Sequence, residues 1–198
     1  MIVMKLTYLA GALWLSLLPL TGCLHSYESG VDLNETPADD SKYLKHLTRD
    51  SRDMKIIENF EMRYTITVTY LSPEFRAAFS DRYKSLFNEG TPFLEEANSK
   101  AGFFVTMFSP MRQGYDLTDD QLWSIQLKNK EGNLKPTLVK RLYTKERWQP
   151  FFKDVSYWSQ EYLVLFDTPS VSTSEKLMNK NTLTLNIANA DAKVSMDW

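Results

Sequence analysis

The chain has 198 residues, 23 of them basic and 25 acidic, and a net charge of -2. That length favours one domain, and 43% hydrophobic against 24% charged residues excludes a chain too polar to bury a core. The near balance of charge gives no strong field for nucleic acid, and a single cysteine excludes an internal disulfide.

In chain order, Met1 to Lys5 is a short segment with one positive charge, and Leu6 to Leu20 (LTYLAGALWLSLLPL) is almost wholly apolar. This stretch is shorter than the roughly 20 apolar residues that span a bilayer and has the length of a signal-peptide core. It ends in Leu20-Thr21-Gly22-Cys23. On these residues the sequence resembles bacterial lipoproteins, whose processing motif is a Leu-like residue, a small residue, Gly or Ala, then Cys. Small side chains at Thr21 and Gly22 let a peptidase bring the backbone close to its catalytic groups. The resemblance implies removal of residues 1–22 and a diacylglyceryl group on the Cys23 thiol. In many bacteria it also implies a fatty acyl chain, such as palmitate, on the new amine. Two or more such chains anchor stably where one is marginal. Position 24 is Leu and not Asp, which under the enterobacterial retention rule implies the outer membrane, facing the periplasm. The partner so implied is the membrane, reached through the lipid.

Residues 23–41 read as a lipidated Cys and a polar tether, and 42–198 as a single β-rich domain. Asp39 to Arg49 has Tyr43, Leu44 and Leu47 at helical spacing. Met54, Ile56, Phe60, Met62, Tyr64, Ile66, Val68 and Tyr70 all fall on even positions, the alternation of a half-buried strand. The run is too long for one strand, so a turn or bulge is expected near Glu58-Asn59. Ser72-Pro73 then supplies a cap and a first-turn proline. Phe75, Ala78, Phe79, Tyr83, Leu86 and Phe87 follow on one helical face, with Gly90 placed for a left-handed stop. A shorter helix is expected from Thr91-Pro92 through Ala97.

FFVTMF after Gly102 and YLVLF at Tyr162 to Phe166 are apolar on both faces, as covered strands are. Trp123, Ile125 and Leu127 alternate with polar residues, NKEGN turns, and Leu134 to Tyr143 returns as a hairpin partner, with Pro136 marking an edge or bulge. Thr168 to Asn181 is a long polar loop. Leu183 to Ile187 and Ala192 to Trp198 form a terminal hairpin with Trp198 held inward. The pattern predicts a mainly β fold, an antiparallel β-sandwich of about seven strands with a helical insertion; the alternative is an α+β fold with a helix on one antiparallel sheet.

No His or Cys follows residue 46, so a Ser-His-Asp triad, a Cys-His pair and a zinc site of nitrogen and sulfur ligands are excluded from the rest of the chain. No glycine-rich phosphate loop occurs. No catalytic residue, metal site or cofactor is assigned. Asp116, Asp119 and Asp120 could hold a cation through oxygen, but their spacing is not that of an EF-hand, and strand capping explains them. Glu58 interrupts an apolar stripe, as at a bulge or sheet edge. The run Trp148, Phe151, Phe152, Tyr157, Trp158 lacks a clean period. Core packing explains such rings, while exposure would make Trp148, Tyr157 and Trp158 a ligand-binding platform. The sequence thus points to a non-catalytic, lipid-anchored interaction or assembly module of the cell envelope, with an envelope protein as partner. The alternatives are a carbohydrate- or peptidoglycan-binding module and a hydrolase using carboxylates alone.

Overall fold

The computed structural model describes residues 40–91, 93–111, 116–130, 132–167 and 183–198. The processing motif with Cys23, the expected tether up to residue 39 and the polar loop at 168–181 lie outside the described residues; the last two tether positions, Asp40 and Ser41, are the start of a helix. The elements are α1 (Asp40–Asp50), β1 (Ser51–Glu58), β2 (Glu61–Tyr70), α2 (Pro73–Phe87), α3 (Leu94–Ala97), β3 (Ala101–Phe108), β4 (Ser124–Asn129), β5 (Gly132–Leu134), β6 (Leu138–Leu142), α4 (Lys145–Trp148), β7 (Gln160–Phe166), β8 (Thr184–Ala188) and β9 (Lys193–Asp197). All strand pairs are antiparallel, in a five-stranded sheet of order β1-β2-β3-β7-β6 and a four-stranded sheet of order β5-β4-β8-β9.

The β-sandwich forms because alternate residues of both sheets point into one apolar layer. Ile66, Val68, Phe103, Val105, Met107, Tyr162, Val164 and Phe166 come from the larger sheet; Ile125, Leu127, Leu185, Ile187, Val194 and Met196 come from the smaller. The described residues hold nine strands, not about seven, partly because the segment from Leu134 to Tyr143 is divided between two strands, β5 and β6. Asn59 and Phe60 take positive φ of 51° and 66° between β1 and β2, with a register shift at Ile56/Ile57. The turn expected near Glu58-Asn59 is therefore present.

The opposite face of the five-stranded sheet is covered too. Phe104, Leu163 and Leu165 point there and meet Tyr43 of α1, Phe75, Phe79 and Tyr83 of α2, Phe93, Ala97, Trp148, Phe151 and Phe152. This second core is why β3 and β7 are apolar on both faces. The helices thus form a third layer. Ser72 caps α2 as expected: its Oγ accepts the Phe75 N–H at 3.1 Å and donates to Asp50 Oδ2 at 2.6 Å, and Arg49 completes the knot. The left-handed stop falls on Asn88, φ 54°, and not on Gly90. Gly102 lies at a close approach. A Cβ there would lie 3.1 Å from a Leu165 methyl and 3.2 Å from a Leu71 methyl, beside the half-buried Arg76 guanidinium, which donates to the carbonyls of Leu71, Ala97 and Lys100.

One strand goes elsewhere than its pattern suggests. Leu134 to Tyr143 is not a single partner for the preceding strand. β5 pairs with β4, and then β6 crosses to pair with β7 in the other sheet. Pro136 sits at the crossing, where its missing N–H interrupts the ladder. At the other terminus Trp198 is held as expected: its indole N–H donates to Asp50 O at 2.6 Å, and its backbone pairs with Leu183.

Candidate functional site

The segment between β6 and β7 divides the three candidate aromatics. Trp148 is 3% exposed. Its ring packs against Phe93 and Phe104, and its indole N–H donates to Tyr143 O at 2.9 Å. Phe151 lies between Phe79 and Tyr83, and Phe152 stacks on Phe104 with ring centres 3.8 Å apart. These rings are core, which corrects the reading of Trp148 as part of an exposed platform: it has no free face for a ligand.

Beyond Val155 the chain makes a tight polar turn. The Ser156 N–H donates to Ser159 Oγ at 2.7 Å, and the Trp158 N–H reaches Ser156 Oγ at 3.3 Å. Tyr157 and Trp158 stand outside this turn, 78% and 62% exposed. Their rings meet edge to face, 87° apart with centres at 4.9 Å.

The turn is fastened from beneath by residues not singled out from the sequence. Glu161 is 1% exposed; its Oε1 lies 2.5 Å from Ser159 Oγ, and its Oε2 lies 3.6 Å from Lys145 Nζ. Lys145 also donates to the carbonyls of Ser156 and Ser159. Removing the lysine leaves a carboxylate buried without its counter-charge, which is costly. The one signal in the sequence was an acid at the head of an apolar strand. Nothing in the spacing linked it to Lys145.

The acidic candidates resolve as caps and surface pairs. Asp116 Oδ1 accepts from the Thr118 N–H and Oγ and, at 3.3 Å, from the Tyr162 hydroxyl. Burial pushes its carboxyl up, but these hydrogen bonds and the Arg141 charge outweigh burial and hold it below the ordinary range. Asp119 accepts from the Gln121 and Leu122 N–H groups. Glu58 is exposed at a hairpin end and pairs with Arg63 at 3.0 Å. Among the described residues, no three His, Cys, Asp or Glu side chains are grouped to hold a metal ion. His46 is half-buried on α1, and His25 lies outside the described residues.

A cleft of about 290 Å³ opens between β4 and the β5–β6 crossing. Leu117, Trp123, Ile125, Pro136 and Val139 give it apolar walls, with Lys135 and Asp120 among its polar groups. Among the described residues Asp120 is the one carboxylate lining it, so those residues do not bring to this cleft the facing pair of acids that glycoside hydrolysis needs.

The β1–β2 hairpin is a further exposed apolar feature. β3 pairs with β2 only as far as Thr65↔Phe108. Tyr64 is still buried, edge to face with Trp123. Beyond it, among the described residues, β1 and β2 form ladder pairs only with each other. Ile57 and Met62 face each other across the ribbon, and both are exposed. Phe60 at the tip is fully exposed and left-handed, a conformation that costs a non-glycine residue about 1 kcal/mol or more.

Compared with protein-family models, curated proteins and solved structures, the chain matches none. Among the described residues no helix is long and apolar enough to cross a membrane.

Proposed function

We propose that the protein is a lipid-anchored, non-catalytic interaction module of the bacterial cell envelope, held by acyl chains on Cys23 at the outer membrane and facing the periplasm. The anchor rests on Leu20-Thr21-Gly22-Cys23 and the apolar run before it. The observation that carries the interaction role is the Tyr157–Trp158 pair. Two large rings stand in solvent on a turn tied down by Lys145, which pairs with the buried Glu161 carboxylate. Rigid, exposed aromatic side chains lose little entropy on binding and are favoured contact residues. Affinity capture from mild detergent extracts tests this. The wild-type lipoprotein retains an envelope protein, and a Tyr157→Ser/Trp158→Ser double variant loses it. Capture of no envelope protein by the wild type contradicts the reading.

A second reading is supported by the open faces of the same rings, which suit stacking on a sugar. On that reading the protein co-sediments with purified peptidoglycan, and Trp158→Ser abolishes co-sedimentation. Wild-type protein left wholly in the supernatant contradicts it.

A further inference from the structure

We propose that the β1–β2 hairpin is a membrane-dipping arm, and that Phe60 enters the interface of the bilayer in which the Cys23 lipid is anchored. The inference rests on the lipid-anchor reading above.

Three observations carry it. The arm extends four residues beyond Tyr64, the last of its residues buried in the sandwich, which is about 13 Å at strand rise. Its tip can therefore reach a surface that the body does not touch. Phe60 fills a left-handed turn position that glycine would occupy without strain, and its whole ring is in water. Backbone strain and a large exposed ring coincide at one residue, an arrangement that a contact made outside the chain accounts for. Ile57 and Met62 widen the apolar tip, and the exposed Met111 lies beside it, its sulfur 2.7 Å from Arg63.

The length of chain between anchor and body favours a bilayer as the occupant. Seventeen peptide steps separate Cys23 from Asp40, at most about 60 Å of fully extended chain. An anchored body never leaves the neighbourhood of the membrane, so a contact too weak to bind a free protein becomes occupied. A bilayer interface also takes an apolar ring without a matching pocket.

The charges set the kind of surface. Glu58 and Glu61 face each other directly behind the tip, and Arg63 pairs with Glu58. Glu61 at the tip disfavours an anionic surface, so the arm suits zwitterionic headgroups.

The test uses the processed lipoprotein in phosphatidylcholine vesicles, with Phe60→Trp as the probe. The added emission, read as the difference from wild type, should shift to the blue on reconstitution. Lipids brominated along the acyl chain should quench it at least twofold, and less so when half the lipid is phosphatidylglycerol. If the protein floats with the vesicles but the added emission stays at the wavelength of exposed Trp, the arm proposal is overturned and the anchor stands. If the protein does not float with the vesicles, both fall. If the blue shift disappears on dilution to one protein per vesicle, a second copy covers Phe60 and the proposal is overturned.

Discussion

Phe151 and Phe152 lie inside the helix-side core, whereas Tyr157 and Trp158, a few residues further along the same segment, stand in solvent. Composition does not distinguish the two pairs. The inner rings meet Phe79, Tyr83 and Phe104 under α2, while the outer ones ride on a turn whose polar groups bond to one another and to Lys145. Whether an aromatic ring is structural or available is thus decided here by where the backbone turns.

Substitution of the inner set gives the largest expected effect. Phe79 touches the rings of Tyr43, Phe75, Tyr83, Phe93, Phe151 and Phe152. Phe79→Ala should cost about 3–5 kcal/mol, read by urea unfolding. A cost below about 1 kcal/mol would mean that the helix layer is not a core. The latch comes next. Lys145→Met strands the buried Glu161 carboxylate, for a loss of about 1–3 kcal/mol, tempered because the lysine is partly open to water. The same variant should change the acrylamide quenching of Trp158, since the turn loses its tie to Lys145; unchanged quenching would show that the turn holds without the ion pair.

The helix layer also has an alkaline limit. Burial pushes the Tyr43 phenol above the ordinary tyrosine range, more than the neighbouring Arg82 charge pulls it down. A phenol whose folded value is raised contributes stability that is intact below its unfolded value near pH 10 and is lost as pH rises beyond it. Its hydroxyl donates to Phe151 O at 2.6 Å. Tyr43→Phe should therefore cost about 1 kcal/mol at neutral pH and flatten the fall in stability above pH 10, as followed by thermal melts. An equally steep alkaline fall in both proteins would place the titrating group elsewhere. The smallest effect belongs to the outside. Phe60→Gly should stabilise by up to about 1 kcal/mol, because it relieves the left-handed turn without touching a core. A net loss would show that the ring packs in the isolated chain.

The sequence shows most clearly what is settled locally. Ser72-Pro73, the turn near Glu58-Asn59 and the alternation at Leu183 to Ile187 each state their own structure, because cap, turn and face are decided within a few residues. The exchange of sheets at Pro136 does not show, since β6 takes its partner from a strand beyond α4. The stop at Asn88 ahead of Gly90 escaped for a smaller reason: asparagine also tolerates the left-handed region. For the site, Tyr157 and Trp158 were named from the sequence together with the buried Trp148. What separates them is long-range packing and the Lys145–Glu161 pair, and no local period records either.

The central claim is that this layered body is tethered to an envelope membrane through a lipid on Cys23. Mass spectrometry of the amino-terminal peptide from protein extracted from bacterial envelopes tests it most directly. The account predicts a chain beginning at Cys23 and carrying a diacylglyceryl group. A peptide beginning upstream of Cys23, or one beginning at Cys23 with an unmodified thiol, would contradict it.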